Sequence, residues 1–444
     1  MTTEQRDQLY KAAIGVPRTV EAPVDLGDAI FREIVTTPQQ RGLLAPGWLG
    51  GASRRTATLL LLGLLLVLGL TVTLLVLSHR QPRPLLLSMY HGGPERTGVM
   101  AGPGPAGVPS ILWDVQRPGP IPFTTMPLVQ DGRVLVADGS GKVVALDAGT
   151  GTKVWESALD SPARGTPVVV DGLLVLGTDG GQVIALRVAD GTRAWTTSLG
   201  TAAISASLVE ADGRVYAAGE DGTVSAVDAR TGVVAWAVPV SGPILHGPAL
   251  SAGVLYVGDE TGRLVAIDVS SRSILWHVAL GPGGVATPTV ANGSLYVSRG
   301  LLTTQGDLLL LDPRDGSNRW TFDTPDHALV YAGAVTDSTL FAVSDNGTVA
   351  AVDLATQRAR WTNTADGPLG TLGAEVDGVF YASSNAHTVF AFDDASGTRL
   401  WKIAVTGSPT QPAVVGGRVF VGTTLGHVVA MGGAPVGSSA PPSR

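Results

Sequence analysis

Between about residues 125 and 431, short apolar runs alternate with polar turn clusters, and the alternation itself repeats. One unit reads clearly in Thr166–Leu199. Pro167–Val170 and Leu173–Gly177 are separated by Asp171-Gly172. Gln182–Arg187 follows Asp179-Gly180-Gly181, and a fourth run from Arg193 to Thr197 follows Asp190-Gly191. Such short runs bounded by turn residues suit strands. Asp-Gly suits tight hairpin turns, because Gly tolerates positive φ and Asp can cap the turn. Four short antiparallel strands per unit predict the blade of a β-propeller. Complete units begin near Thr125, Thr166, Ser205, Gly247, Thr287, Tyr331 and Thr371. The C-terminal unit supplies three strands only, at Pro412–Val415, Arg418–Gly422 and His427–Met431. Its missing strand is at the other end of the repeats, Ile111–Val115. An eighth blade built from both ends closes the ring and leaves no open edge between first and last blades.

Each unit ends on a version of A-x-D-x-x-T-G-x-x-x-W. Ala145–Trp155 and Ala226–Trp236 match throughout, and Ala391–Trp401 has Ser396 for Thr. Ala185–Trp195 has Arg187 in place of the Asp. Weaker copies keep Asp268 with Trp276, Asp312 with Trp320, and Asp353 with Trp361. Trp155, Trp195, Trp236, Trp276, Trp320, Trp361 and Trp401 recur at spacings of 40, 41, 40, 44, 41 and 40, and Trp113 lies in phase, 42 residues before Trp155. A fixed pitch near 40 signals a repeat architecture. A residue found in every blade is architectural before it is a site. The Trp residues are expected to pack between neighbouring blades. Asp147, Asp228, Asp268, Asp312, Asp353 and Asp393 are expected to accept hydrogen bonds from turn backbone. Gly151, Gly191, Gly232 and Gly397 are expected to permit the left-handed turn.

This signature resembles the tryptophan-docking motif of the pyrroloquinoline quinone (PQQ)-like repeat. That repeat is shared by quinoprotein alcohol and glucose dehydrogenases and by the barrel-assembly scaffold lipoprotein of the bacterial outer membrane. The resemblance covers about residues 111–431. It implies an all-β, eight-bladed propeller of four-stranded antiparallel blades, closed by N- and C-terminal strands. It is specific for fold and poor for function, since catalytic and non-catalytic members share it.

Outside the repeats, Thr56–Leu77 carries no charge over 22 residues. That is roughly 33 Å as a helix, enough to cross a bilayer core. No small-residue cleavage site follows, so an uncleaved, single-pass anchor is expected. Arg54 and Arg55 favour a cytoplasmic N-terminus and an extracytoplasmic propeller at the cell membrane. The expected organisation is a mostly disordered cytoplasmic segment 1–55, a transmembrane helix 56–77, a Pro/Gly-rich linker 78–110, the propeller 111–431 and a disordered tail 432–444. Within the linker, Tyr90–Gly98 (YHGGPERTG) looks too specific for a spacer and is expected to fold against the domain.

The chain of 444 residues contains no cysteine, so disulfides, thiolate metal sites and cysteine nucleophiles are excluded. Its formal charge is −7, with no basic face for nucleic acid. His246, His327, His387 and His427 share no metal-ligand spacing. No catalytic, cofactor or metal residue is assigned. A PQQ dehydrogenase is implied to need calcium ligands, a catalytic Asp, stacking groups and, in many alcohol dehydrogenases, a vicinal Cys-Cys pair. The near-minimal blades show no such set. The preferred expectation is a membrane-anchored, non-catalytic scaffold with a protein partner. The alternatives are a ligand sensor with a cytoplasmic partner and a PQQ-dependent dehydrogenase with calcium.

Overall fold

The computed structural model describes residues 86–117, 122–123, 125–240, 242–301, 306–324, 328–369 and 371–433. They fall within one compact unit, residues 83–444. Among the described residues there are eight sheets, seven with their strands in sequence order from axis to rim and the eighth completed at its rim by a strand from the other end of the repeats. Blade 1 runs from Leu128–Gln130 through Arg133–Ala137 and Lys142–Asp147 to Lys153–Ala158. Blades 2 to 7 begin with innermost strands Val168–Val170, Val209–Ala211, Ala249–Ser251, Thr289–Ala291, Val330–Val335 and Ala374–Val376. Blade 8 combines Ala413–Val415, Arg418–Gly422 and His427–Gly432 with Ser110–Gln116 from the other end of the repeats.

The closing strand enters in the common register. Trp113 faces Ala430, as Trp155 faces Ala145 and Trp236 faces Ala226, and the same bulge precedes each Trp. His427 Nδ1 lies 2.7 Å from Asp114 Oδ1, fastening the seam. Beyond it, Arg117 Nε lies 3.2 Å from the buried Asp138 of blade 1. The middle strands are buried on both faces and carry the apolar residues of the core, such as Val143–Leu146 and Val183–Leu186. The outermost strands alternate between burial and exposure, which is the pattern of a sheet edge facing solvent.

Among the described residues no helix is long and apolar enough to cross a membrane. The only helix described is one short turn, Tyr90–Gly92. The span expected at 56–77 lies outside the described residues, as do segments 1–55 and 434–444. The expectation of a membrane-anchored, single-pass protein is corrected accordingly, and with it the membrane as partner and the cell-membrane localisation. Hydropathy over one apolar run carried that expectation, and among the described residues no spanning helix accompanies the propeller.

Candidate functional site

The repeated residues occupy the joints between blades. Trp Nε1 donates to a turn carbonyl of the next blade: Trp113 to Ala148 (3.1 Å), Trp155 to Val188 (2.9 Å), Trp195 to Ala229 (3.1 Å), Trp276 to Pro313 (3.1 Å) and Trp361 to Asp394 (2.7 Å). The Asp residues organise the turn that presents this carbonyl. Asp228 Oδ1 accepts from the Arg230 and Thr231 N–H groups and from the Thr231 hydroxyl, at 2.7 to 3.1 Å. Asp147, Asp268, Asp353 and Asp393 do the same in their own turns. Such bonds stabilise the ionised form, and Asp268 is lowered to about 2, chiefly by the Ser271 N–H. Asp312 is held lower still, first by the Arg314 side chain.

The motif glycine serves two ends. Gly232 has φ of +76°, and a Cβ there would lie 2.7 Å from the Trp195 ring. The turn must be bare for the neighbouring indole to lie across it. At the equivalent place opposite Trp236 stands Arg272, with φ of +61°, and there the buried Trp236 Nε1 has no hydrogen-bond partner. Trp320 faces Gln357 by the same correspondence, with φ of +56°. Trp401 precedes blade 8, whose last strand comes from the other end of the repeats, so no continuous turn faces it. These residues hold the ring together and do not converge on one point.

The axis holds a feature with no counterpart in the repeats. Residues 86–103 pass along the innermost strands in blade order. Leu86 and Leu87 pair with Gln130 and Val129 of blade 1. Ser88 O accepts from Val169 N–H of blade 2 at 2.7 Å. Pro94, Glu95, Thr97 and Gly98 carbonyls accept from Leu250, Val290, Val335 and Glu375 of blades 4 to 7. Pro103 O accepts from Gly417 of blade 8. Every innermost strand otherwise turns unpaired backbone toward the axis, and the segment satisfies it.

Arg96 is the bolt of this plug. It is completely buried, and its guanidinium donates to Pro248 O (3.1 Å), Tyr90 O (2.7 Å) and Leu208 O (2.5 Å). The Leu208 bond supplies blade 3. Burial lowers Arg96 to about 10, so it stays charged at neutral pH. His91 is also completely buried, with Nε2 at 2.9 Å from Gly333 O. Burial lowers it to about 4, against smaller opposing effects of its backbone hydrogen bonds, and keeps it neutral.

Tyr90 closes the floor of a funnel of about 340 Å³ that opens on the face where the innermost strands start. All eight blades contribute, mostly by a residue or two just ahead of that strand: Met126, Thr166, Ser207, His246, Thr287, Tyr331, Thr371 and Gln411. Several of these groups also tie blades together. Thr166 Oγ1 accepts from Met126 N–H at 3.2 Å, and Ser207 Oγ accepts from Thr166 N–H at 3.1 Å. The cation at the mouth, Arg164, is paired with Asp179 at 2.7 Å. His246 lies 3.5 Å from Glu260. His387 and His427 are not among the lining residues, and His327 lies outside the described residues.

Three overlapping stretches, residues 109–243, 220–331 and 304–434, match the family model described as outer membrane protein assembly factor BamB. The chain belongs to that family of PQQ-like propellers. No curated protein matches the sequence. Among solved structures, BamB from Moraxella catarrhalis is similar with a TM-score of 0.59 at 19% identity, over 73% of this chain and 100% of that one. Quinohemoprotein alcohol dehydrogenase from Comamonas testosteroni is similar with a TM-score of 0.63 at 13% identity, over 81% of this chain and 82% of that one. The computationally designed Ika8 protein gives 0.64 at 16% identity, over 72% and 98%. At these identities the likenesses show the fold alone, and they span catalytic and non-catalytic propellers.

The funnel can be tested against the quinone and calcium that the dehydrogenase likeness implies. Its lining offers hydroxyls, two tyrosines, one histidine, one paired arginine and the amide of Gln411, with no carboxylate among the lining residues. Among the described residues no group of three His, Asp or Glu side chains is placed to hold a metal ion. The repeat indoles sit at the blade joints, and none is among the residues lining the funnel. The residues present do not fit that cofactor set.

Proposed function

We propose that this protein is a non-catalytic propeller scaffold that binds a protein partner through its funnel face. The observation that carries this reading is the axial plug. A segment bonded to each blade in turn converts an open ring into a plugged disc with a blind recess whose lining cation, Arg164, is ion-paired. Leu245 and Leu425, on loops of the funnel face, are partly exposed and within reach of a partner seated there. The family model is described as an assembly factor, a role in which proteins are brought together. The dehydrogenase reading is tested by charging the full chain with PQQ and calcium and following dye-linked oxidation of alcohols and aldoses. The scaffold reading expects neither saturable quinone binding nor turnover. Stoichiometric quinone binding with dye reduction would replace it.

A further inference from the structure

A sheet has two edges, and this propeller treats them differently. At the axis, residues 86–103 take up the outward backbone of the innermost strands. At the rim, the outermost strand is the last of its sheet in every blade, and among the described residues no further strand covers it. Open edges invite pairing with another chain, and proteins guard them with charged residues or proline. Six of the eight rim strands carry a charge, as at Lys153, Arg358, Arg399 and Asp114. Blade 3 ends its rim strand on Pro239. Blade 4 has neither guard. Its rim strand, Ser273–Ala279 (SILWHVA), holds no Lys, Arg, Asp, Glu or Pro. Ile274 and Leu275 leave 38% and 52% of their surface exposed, with Ser273, His277 and Ala279 exposed beside them. The bulge beside Trp276 recurs beside the Trp of every other blade and so does not set this edge apart.

Whatever extends this sheet must bring an open, unguarded strand edge of its own. Among the described residues one edge meets that condition, and it is this strand itself. We infer that two copies of the chain pair antiparallel along Ser273–Ala279. Antiparallel pairing of identical strands is an isologous contact about a two-fold axis, and it gives the outward N–H and C=O groups partners. On blade 7 the same contact would set Arg399 and Lys402 against their own copies, and like charges opposite each other are destabilising. On blade 4 it brings together a serine, aliphatic groups, an indole and an imidazole. The strand runs toward the funnel face, since the loop that follows it supplies Ala286 to the funnel lining. Antiparallel copies therefore open their funnels on opposite sides, and the rim contact leaves both free. Two strands of seven residues make a contact smaller than a standard interface of about 1,200–2,000 Å². The pair is therefore weak and forms as concentration rises.

The test uses the full chain, whose lack of cysteine allows one spin label per molecule. Ser273→Cys puts the label at the start of the edge strand. Thr398→Cys is the control, at the same place before the Trp of blade 7. Both residues are exposed, and each is bonded to a turn hydroxyl, of Ser271 and Ser396. Sedimentation velocity over a concentration series is expected to show monomer passing to dimer. Dipolar spin resonance on the dimer is expected to give label distances of roughly 20–35 Å at 273, the span of a paired strand plus the label arms. No distance in that range is expected at 398. His277→Lys copies Lys402, which stands one residue after the Trp of blade 7, so the fold accommodates it. It should leave the melting point unchanged and lower the dimer fraction about fivefold or more, because like charges then face each other. A monomer at every concentration, a dimer without the short distance at 273, or a dimer that a folded His277→Lys protein keeps would each overturn the inference. The scaffold reading stands or falls separately, on partner adducts at the funnel face.

Discussion

Replacing Gly232 by Ala isolates the joint between blades 2 and 3. The turn holds φ at +76°, and an L-residue there costs about 1–2 kcal/mol. The new methyl would sit 2.7 Å from Trp195 Cδ2 and Cε3 and 2.8 Å from Thr197 Oγ1. The indole must slide away by more than half an ångström to reach ordinary contact (roughly 3.5–4.0 Å between carbons). That movement breaks the 3.1 Å bond from Trp195 Nε1 to Ala229 O, worth about 0.5–1.5 kcal/mol. The sum is about 1.5–3.5 kcal/mol. Gly213→Ala is the control, since its φ is +72° and a methyl there meets nothing within 4 Å. It carries only the conformational cost. Urea unfolding followed by circular dichroism, with the slope checked for constancy, compares the two. A third protein, Gly232→Ala in a Trp195→Ala background, removes the indole, and there the cost of the methyl should fall toward that of Gly213→Ala, with only the Thr197 Oγ1 contact remaining. If Gly232→Ala and Gly213→Ala destabilise equally, the close approach contributes nothing and the glycine serves backbone conformation alone.

Three further outcomes follow from the same geometry. Arg272→Gly should stabilise the protein by about 1 kcal/mol in urea unfolding, because it relieves a non-Gly residue at φ of +61° and bares the turn opposite the unpartnered Trp236. Arg96→Met should cost at least about 3 kcal/mol, since the Leu208, Pro248 and Tyr90 carbonyls lose their donor. Hydrogen exchange should then quicken at the Val169, Leu250 and Val290 amides, which the plug caps. His91 is neutral in the fold, lowered to about 4, so the unfolded chain takes up its proton first as the pH falls. Its contribution is full above about pH 6.5 and is lost on the way down to about pH 4, roughly 2–3 kcal/mol between pH 7 and 4.5. His91→Asn, a residue that tolerates positive φ, should flatten the stability curve over that window.

The ring was legible because its signal is local and periodic. Each Trp recurs at a pitch near 40, and Trp113 falls in phase with a C-terminal unit one strand short. Even the poor joint at Trp236 was written in the chain as Arg272 where most other units have Gly. The second role of that Gly was not, because the indole it accommodates comes from the preceding blade. The plug is legible only as an oddity, the charged and aromatic residues of Tyr90–Gly98 among Pro and Gly. Its bonds run mainly through backbone atoms, and backbone acceptors leave no residue pattern. The funnel is harder still, since each blade contributes a residue or two about forty positions apart. Hydropathy at Thr56–Leu77 pointed toward a membrane, and the described structure holds no spanning helix.

Photo-crosslinking in cells tests the scaffold most directly. A benzophenone amino acid is placed at Leu245 on the funnel rim, and separately at Val233, 64% exposed on the opposite face. Discrete protein adducts at 245 and none at 233 are the predicted result. Adducts at 233 alone, or none at either position, would contradict a partner-binding funnel face.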